Sequence, residues 1–126
     1  MDTYEFIRII FDFVEKDKRR IECENTLFEN DFILTPTHTG SSIIQHKFIP
    51  IRGELLYGTM SNILKKIILE TDKTVFNEMK SYVKSLSNFK YKSLFNTAVD
   101  PNTGVCIMFS NNIFEGIKIT IYKLNN

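Results

Sequence analysis

The turn Asp100-Pro101-Asn102-Thr103-Gly104 runs straight into the apolar segment Val105-Cys106-Ile107-Met108-Phe109, and together they constrain this chain more than any other stretch. Pro101 presets φ at the first turn position, Asp100 and Asn102 carry side chains that bond neighbouring backbone N–H groups, and Gly104 accepts the left-handed conformation that returns the chain. A strand that is apolar on both faces predicts a central position with cover on both sides. Further on, Ile117, Ile119 and Ile121 alternate with Lys118, Thr120 and Tyr122, which predicts a strand with one wet face. With a strand leading into the turn, residues 89–124 are expected to form three strands.

Ahead of this region the pattern changes twice. Glu5, Arg8, Asp12 and Glu15 recur at three- and four-residue spacing between Phe6, Ile7, Ile10, Phe13 and Val14, predicting a helix capped by Asp2 or Thr3. Its polar stripe is narrow, so burial on two sides is expected, one against the sheet and one against a partner. Residues 19–25, 31–35 and 42–51 read as three strands, the first because Arg20, Glu22 and Glu24 alternate with Ile21 and Cys23. Leu56, Met60, Ile63, Leu64, Ile67 and Ile68 then fall at helical spacing, and Val75, Phe76, Met79, Tyr82, Val83 and Leu86 do so again after Thr71-Asp72. The expected architecture is an α+β domain of order α-βββ-αα-βββ, with three helices on a largely antiparallel sheet of five or six strands.

At 126 residues the chain fits one domain, 1–126, able to bury about two thirds of the surface it exposes when unfolded. An apolar fraction of 43% excludes a disordered chain, and a net charge of +1 gives no global pull toward nucleic acid or membrane, so either would need a local patch. Acidic Asp2, with Arg8 and Asp12 interrupting the first apolar run, argues against a signal peptide or a membrane span. The expectation is a cytoplasmic protein without a membrane partner, its Cys23 and Cys106 reduced. Abundant Ile, Lys, Asn and Phe, with Ala98 the only alanine, suggest AT-rich coding of the kind found in viruses and some bacteria.

Three constellations bear on chemistry. His38, in the loop Thr35-Pro36-Thr37-His38-Thr39-Gly40-Ser41-Ser42, is the one candidate catalytic residue. It would be the base of a small hydrolase with an acidic partner from Glu22, Glu24, Glu29 or Asp31. The same composition also describes an ordinary exposed loop. Cys23, His38, His46 and Cys106 lack the paired spacing of a structural zinc site, so neither metal nor cofactor is expected. Segment 80–92 is basic and aromatic, and Lys84, Lys90, Tyr91, Lys92 and Tyr122 would serve a single-strand nucleic-acid binder, lysines tracking phosphates and rings stacking bases. An alternating strand with solvated lysines accounts for the same residues.

The favoured reading is a non-enzymatic regulatory protein acting through a protein interface, an inhibitor or immunity-type protein or a homodimer, with Phe6, Ile10 and Phe13 as interface anchors.

Overall fold

The computed structural model describes residues 1–114 and 116–124. Among these the order is α1 (Thr3–Glu15), α2 (Arg20–Glu29), β1 (Phe32–Pro36), β2 (Ser42–His46), β3 (Ile51–Tyr57), β4 (Leu64–Thr71), α3 (Lys73–Ser85), β5 (Lys90–Lys92), β6 (Thr97–Val99), β7 (Val105–Asn112) and β8 (Gly116–Lys123). The fold is α+β, with three helices and one antiparallel sheet of eight strands in the order β1-β2-β3-β4-β8-β7-β6-β5. It consists of two four-stranded meanders, joined where β4 pairs with β8 and bridged by α3.

The turn at 100–104 forms as its residues dictate. Gly104 donates to the Asp100 carbonyl at 2.8 Å and Asp100 to the Val105 carbonyl at 2.9 Å, while Asn102 N–H bonds the Asp100 carboxylate at 3.0 Å. Gly104 sits at φ +80°, where a Cβ would be strained.

Two elements differ from the sequence reading. Residues 19–25 belong to a helix: Cys23 and Leu27, four apart, are buried, Arg20 pairs with Glu24 at 2.7 Å, and the Glu22 carboxylate accepts the Arg19 N–H at 3.2 Å. Residues 56–68 are the end of β3, a turn and most of β4. Leu55, Leu64, Ile67 and Leu69 face the core, Ile68 faces the other way, and Met60 lies exposed in the turn. Segment 42–51 is likewise not one strand, because residues 47–50 separate β2 from β3.

One face of the sheet carries the core. α1 lies across β4, β8 and β7, with α3 beside it, and Phe6, Ile7, Ile10, Phe13 and Val14 are buried there. Phe6 stacks on Phe32 at 5.1 Å between centroids and Phe11 on Phe89 at 5.1 Å. The wide apolar arc of α1 is therefore covered by the chain itself. From the strands come Phe32, Ile44, Leu55, Ile67, Leu69, Ile107, Phe109, Ile119 and Ile121, the inward half of each alternation. Charge is divided along the chain. Residues 1–31 hold nine acidic and five basic side chains, a formal −4, whereas residues 73–123 hold seven lysines against three acids, a formal +4.

Candidate functional site

Among the described residues no element lies over the second face of the sheet. Register fixes what it displays, since residues paired across adjacent strands point the same way. One row runs Leu56, Lys66, Tyr122, Cys106, Val99, Lys90, and the next Thr35, Ile43, Glu54, Ile68, Thr120, Met108, Thr97, Lys92. A third row, Ile33, Gln45, Arg52, Glu70, Lys118, Ser110, is mostly polar. Apolar side chains and charges of both signs are thus interspersed on this face. Over Ile43, Ile68, Arg52, Glu54, Glu70 and Lys118 the face dips into a hollow of about 380 Å³.

Gly53, between Arg52 and Glu54, lies beneath that hollow, in register with core residues Ile44 and Leu69. A Cβ on it would lie 2.2 Å from the Ile68 carbonyl oxygen, so β3 approaches β4 there as only glycine allows. Arg52 bonds Glu70 at 2.7 Å, and Glu54 accepts a short hydrogen bond from the Ser41 hydroxyl. Cys106, on this face, is nevertheless buried. The Cys106 thiol, facing Tyr122 across the paired strands, raises the Tyr122 pKa ahead of burial. The two-sided cover expected of β7 is therefore supplied on this side by neighbouring side chains and ends at Met108, which is exposed.

The residues singled out in the sequence scatter. Phe6, Ile10 and Phe13 are core residues of their own chain and present no surface for another subunit to grip. His38 is exposed at the tip of the β1–β2 loop, whose hydroxyls engage one another, Thr37 with Thr39 at 2.9 Å and with Ser41 at 2.8 Å. Arg20 ties α2 to that loop, donating to the Gly40 carbonyl at 3.0 Å, and it takes the Glu24 carboxylate for itself. Glu22 turns to Lys18 at 3.5 Å. Among the described residues no hydrogen bond or ion pair joins His38 to a carboxylate, and no group of three or more His, Cys, Asp or Glu is placed to hold a metal ion.

The basic segment divides between the two faces. Lys90, Lys92 and Tyr122 project from the open face, whereas Tyr91 points to the helix side, bonds Asn96 at 2.7 Å through its hydroxyl, and has the Lys84 ammonium 4.6 Å above its ring. Lys84 and Tyr91 thus satisfy each other. Cys23 and Cys106 are both buried free thiols, and burial pushes Cys23 up to about 12, which removes thiolate reactivity at neutral pH.

A recess of about 600 Å³ lies between α1 and α2, with Ile9 and Phe13 among its lining residues and Glu5, Arg8, Asp12, Lys18, Glu22 and Glu29 around them. Of these charges, Asp12 pairs with Lys16 at 2.8 Å and Glu22 with Lys18. No helix among the described residues is long and apolar enough to cross a membrane. These features define a helix-backed antiparallel sheet with one bare face. No protein-family model, curated protein or solved structure matches the chain.

Proposed function

We propose that this chain is a non-enzymatic binding protein whose contact surface is the open face of its sheet, and that the occupant is a second copy of itself. The observation that carries the reading is that Ile43, Ile68, Met108, Leu56 and Tyr122 stand on the open face, interspersed with Glu54, Thr120 and Lys66, while the helices among the described residues pack on the other side. A sheet normally buries one face and solvates the other, and the solvated face is then polar in alternation. Here exposed apolar side chains stand among Glu54, Lys66 and Thr120, the mixed composition of a non-obligate interface. Arg52, Glu70 and Lys118 alternate in sign along the third row. A two-fold contact can use such alternation, Glu70 of one copy facing a base of the other.

Ile43→Glu with Met108→Glu tests this, since both side chains are exposed and their replacement leaves the core intact. Light scattering over a dilution series is expected to give a dimer mass for the natural chain and a monomer mass for the double variant. A natural chain that stays monomeric at high concentration overturns the self-association. A second reading, single-stranded nucleic-acid binding, draws on Lys90, Lys92 and Tyr122 sharing this face. It predicts salt-steep oligonucleotide binding that Lys90→Gln with Lys92→Gln removes.

A further inference from the structure

The hairpins β5–β6 and β7–β8 open at the same end of the sheet. Thr97 pairs with Met108 and Phe109 N–H bonds the Asn96 carbonyl at 2.9 Å, so the turn at 93–96 lies beside Phe109, while the β7–β8 ladder continues to Asn112 paired with Gly116. The second tip stands roughly 10 Å further out, three residues at about 3.3 Å each. Leu94, Phe95, Ile113 and Phe114 occupy these tips at 85, 68, 92 and 91% exposure. Local bonds hold the turns open. Tyr91 donates to the Asn96 side chain, the Thr97 hydroxyl to the Phe95 carbonyl at 2.9 Å, and Phe114 N–H to the Asn112 side chain at 2.9 Å.

We propose that these two tips attach the protein to an anionic lipid surface, inserting Leu94, Phe95, Ile113 and Phe114 into the headgroup–acyl boundary while flanking lysines meet the lipid charge. Four large apolar side chains on adjacent convex tips form a protrusion, which suits a fluid medium better than a preformed pocket on another protein. Lysine outweighs acid near the tips. They belong to the lysine-rich half of the chain, Lys92 directly precedes the first turn, Lys118 follows the second with Glu115 the one acid between Phe114 and it, and neither these lysines nor Lys90 enters an ion pair among the described residues. Nucleic acid would use the same lysines, but it stacks on π faces. Leu94 and Ile113, the more exposed of each pair, have none, whereas hydrocarbon accepts them as readily as the phenylalanines. This is attachment to a surface, distinct from crossing it, and it adds a small apolar anchor to an electrostatic one, the combination reversible binding requires.

Co-sedimentation with vesicles tests it, using phosphatidylcholine alone and phosphatidylcholine with about 30 mol% phosphatidylserine. The expected result is pelleting with the anionic vesicles only, reversed by high salt, and weakened about tenfold or more by Ile113→Ser with Phe114→Ser. Leu94→Ser with Phe95→Ser provides an independent second variant, and unchanged circular dichroism confirms that each folds. Failure of the natural chain to bind anionic vesicles overturns the proposal, as does vesicle binding that both tip variants retain in full. Pelleting by lysine contact alone, or oligonucleotide binding without vesicle binding, also overturns it.

Discussion

His46 shows how a residue acquires a role from the fold that its neighbours in sequence do not announce. His38 drew notice because hydroxyls and glycine flank it, yet it is exposed, while His46, third in the inward alternation Ser42, Ile44, His46, is buried. Its Nδ1 accepts from the backbone N–H groups of Phe48 and Ile49, each at 3.0 Å, so the proton resides on Nε2, which has no hydrogen-bond partner among the described residues. Phe32 meets the ring edge-on at 4.8 Å. Burial lowers the His46 pKa, against an upward pull from Asp31 and the Asn30 carbonyl. Protonating Nδ1 would turn an acceptor of two bonds into a donor facing two donors. At Asp100, burial raises the carboxyl pKa, but hydrogen bonds from Asn88, Asn102 and Thr103 outweigh it and leave the group below its usual range. Both folded pKa values lie below the unfolded ones, so both contributions to stability are complete at high pH and are lost on acidification. The His46 share disappears as pH falls from about 6.5 through its folded value, and the Asp100 share below about 4. Urea midpoints measured from pH 8 to pH 3 should therefore fall in two stages. In His46→Asn, whose amide oxygen can replace Nδ1, the upper stage should vanish, and a slope unchanged between pH 7 and 5 would refute the assignment.

At the scale of elements, the sequence was readable where local geometry and burial pattern agreed. The turn at 100–104 needs only its own residues, α1 and α3 show an apolar stripe with an aspartate cap, Asp2 bonding Glu5 N–H at 2.8 Å and Asp72 bonding Val75 N–H at 2.8 Å, and β8 alternates. Segment 56–68 misled because Ile63-Leu64 and Ile67-Ile68 place apolar residues on both faces of a strand, and adjacent apolar pairs mimic helical spacing. Gly58 and Asn62, the latter at φ +55°, were the turn signal within it. Segment 19–25 misled because Ile21 is exposed and only Cys23 and Leu27 set the true period. The open face was unreadable for a different reason: its rows assemble residues from all eight strands, and strand order is not a local property. Gly53 belongs to this class, since nothing in its surroundings in sequence reveals that the Ile68 carbonyl will stand in the way. Gly53→Ala should lower stability by about 1–3 kcal/mol by forcing β3 from β4. A variant with the natural denaturation midpoint would show that the two strands tolerate the separation.

The whole molecule is divided by one seam. β4 and β8 are the strands where the two meanders meet, with Ile67 opposite Ile121 and Leu69 opposite Ile119, and neither meander closes a core alone. α1 holds them together, because it rests on β4 to one side of the seam and on β8 and β7 to the other, while α3 leaves β4, packs on β4 and β8, and leads to the far edge. The first helix therefore stabilises strands up to about a hundred residues distant in sequence, and the halves should unfold together. Ile121 is fully buried on the seam. Ile121→Ala should cost about 2–5 kcal/mol, depending on how far α1 can settle into the space, and should lower the melting temperature of the molecule as one transition. Hydrogen exchange gives the sharper reading. If the seam couples the halves, amides of β2 and β3 lose protection in the variant to the same degree as those of β7, whereas loss confined to β7 and β8 would mean that the first meander and its helices stand alone. The two proposed surfaces depend on the former outcome. The open face draws its apolar rows from both meanders, and the hairpin tips are carried by the second alone, so only a cooperative sheet would hold a partner and a lipid surface in fixed relation.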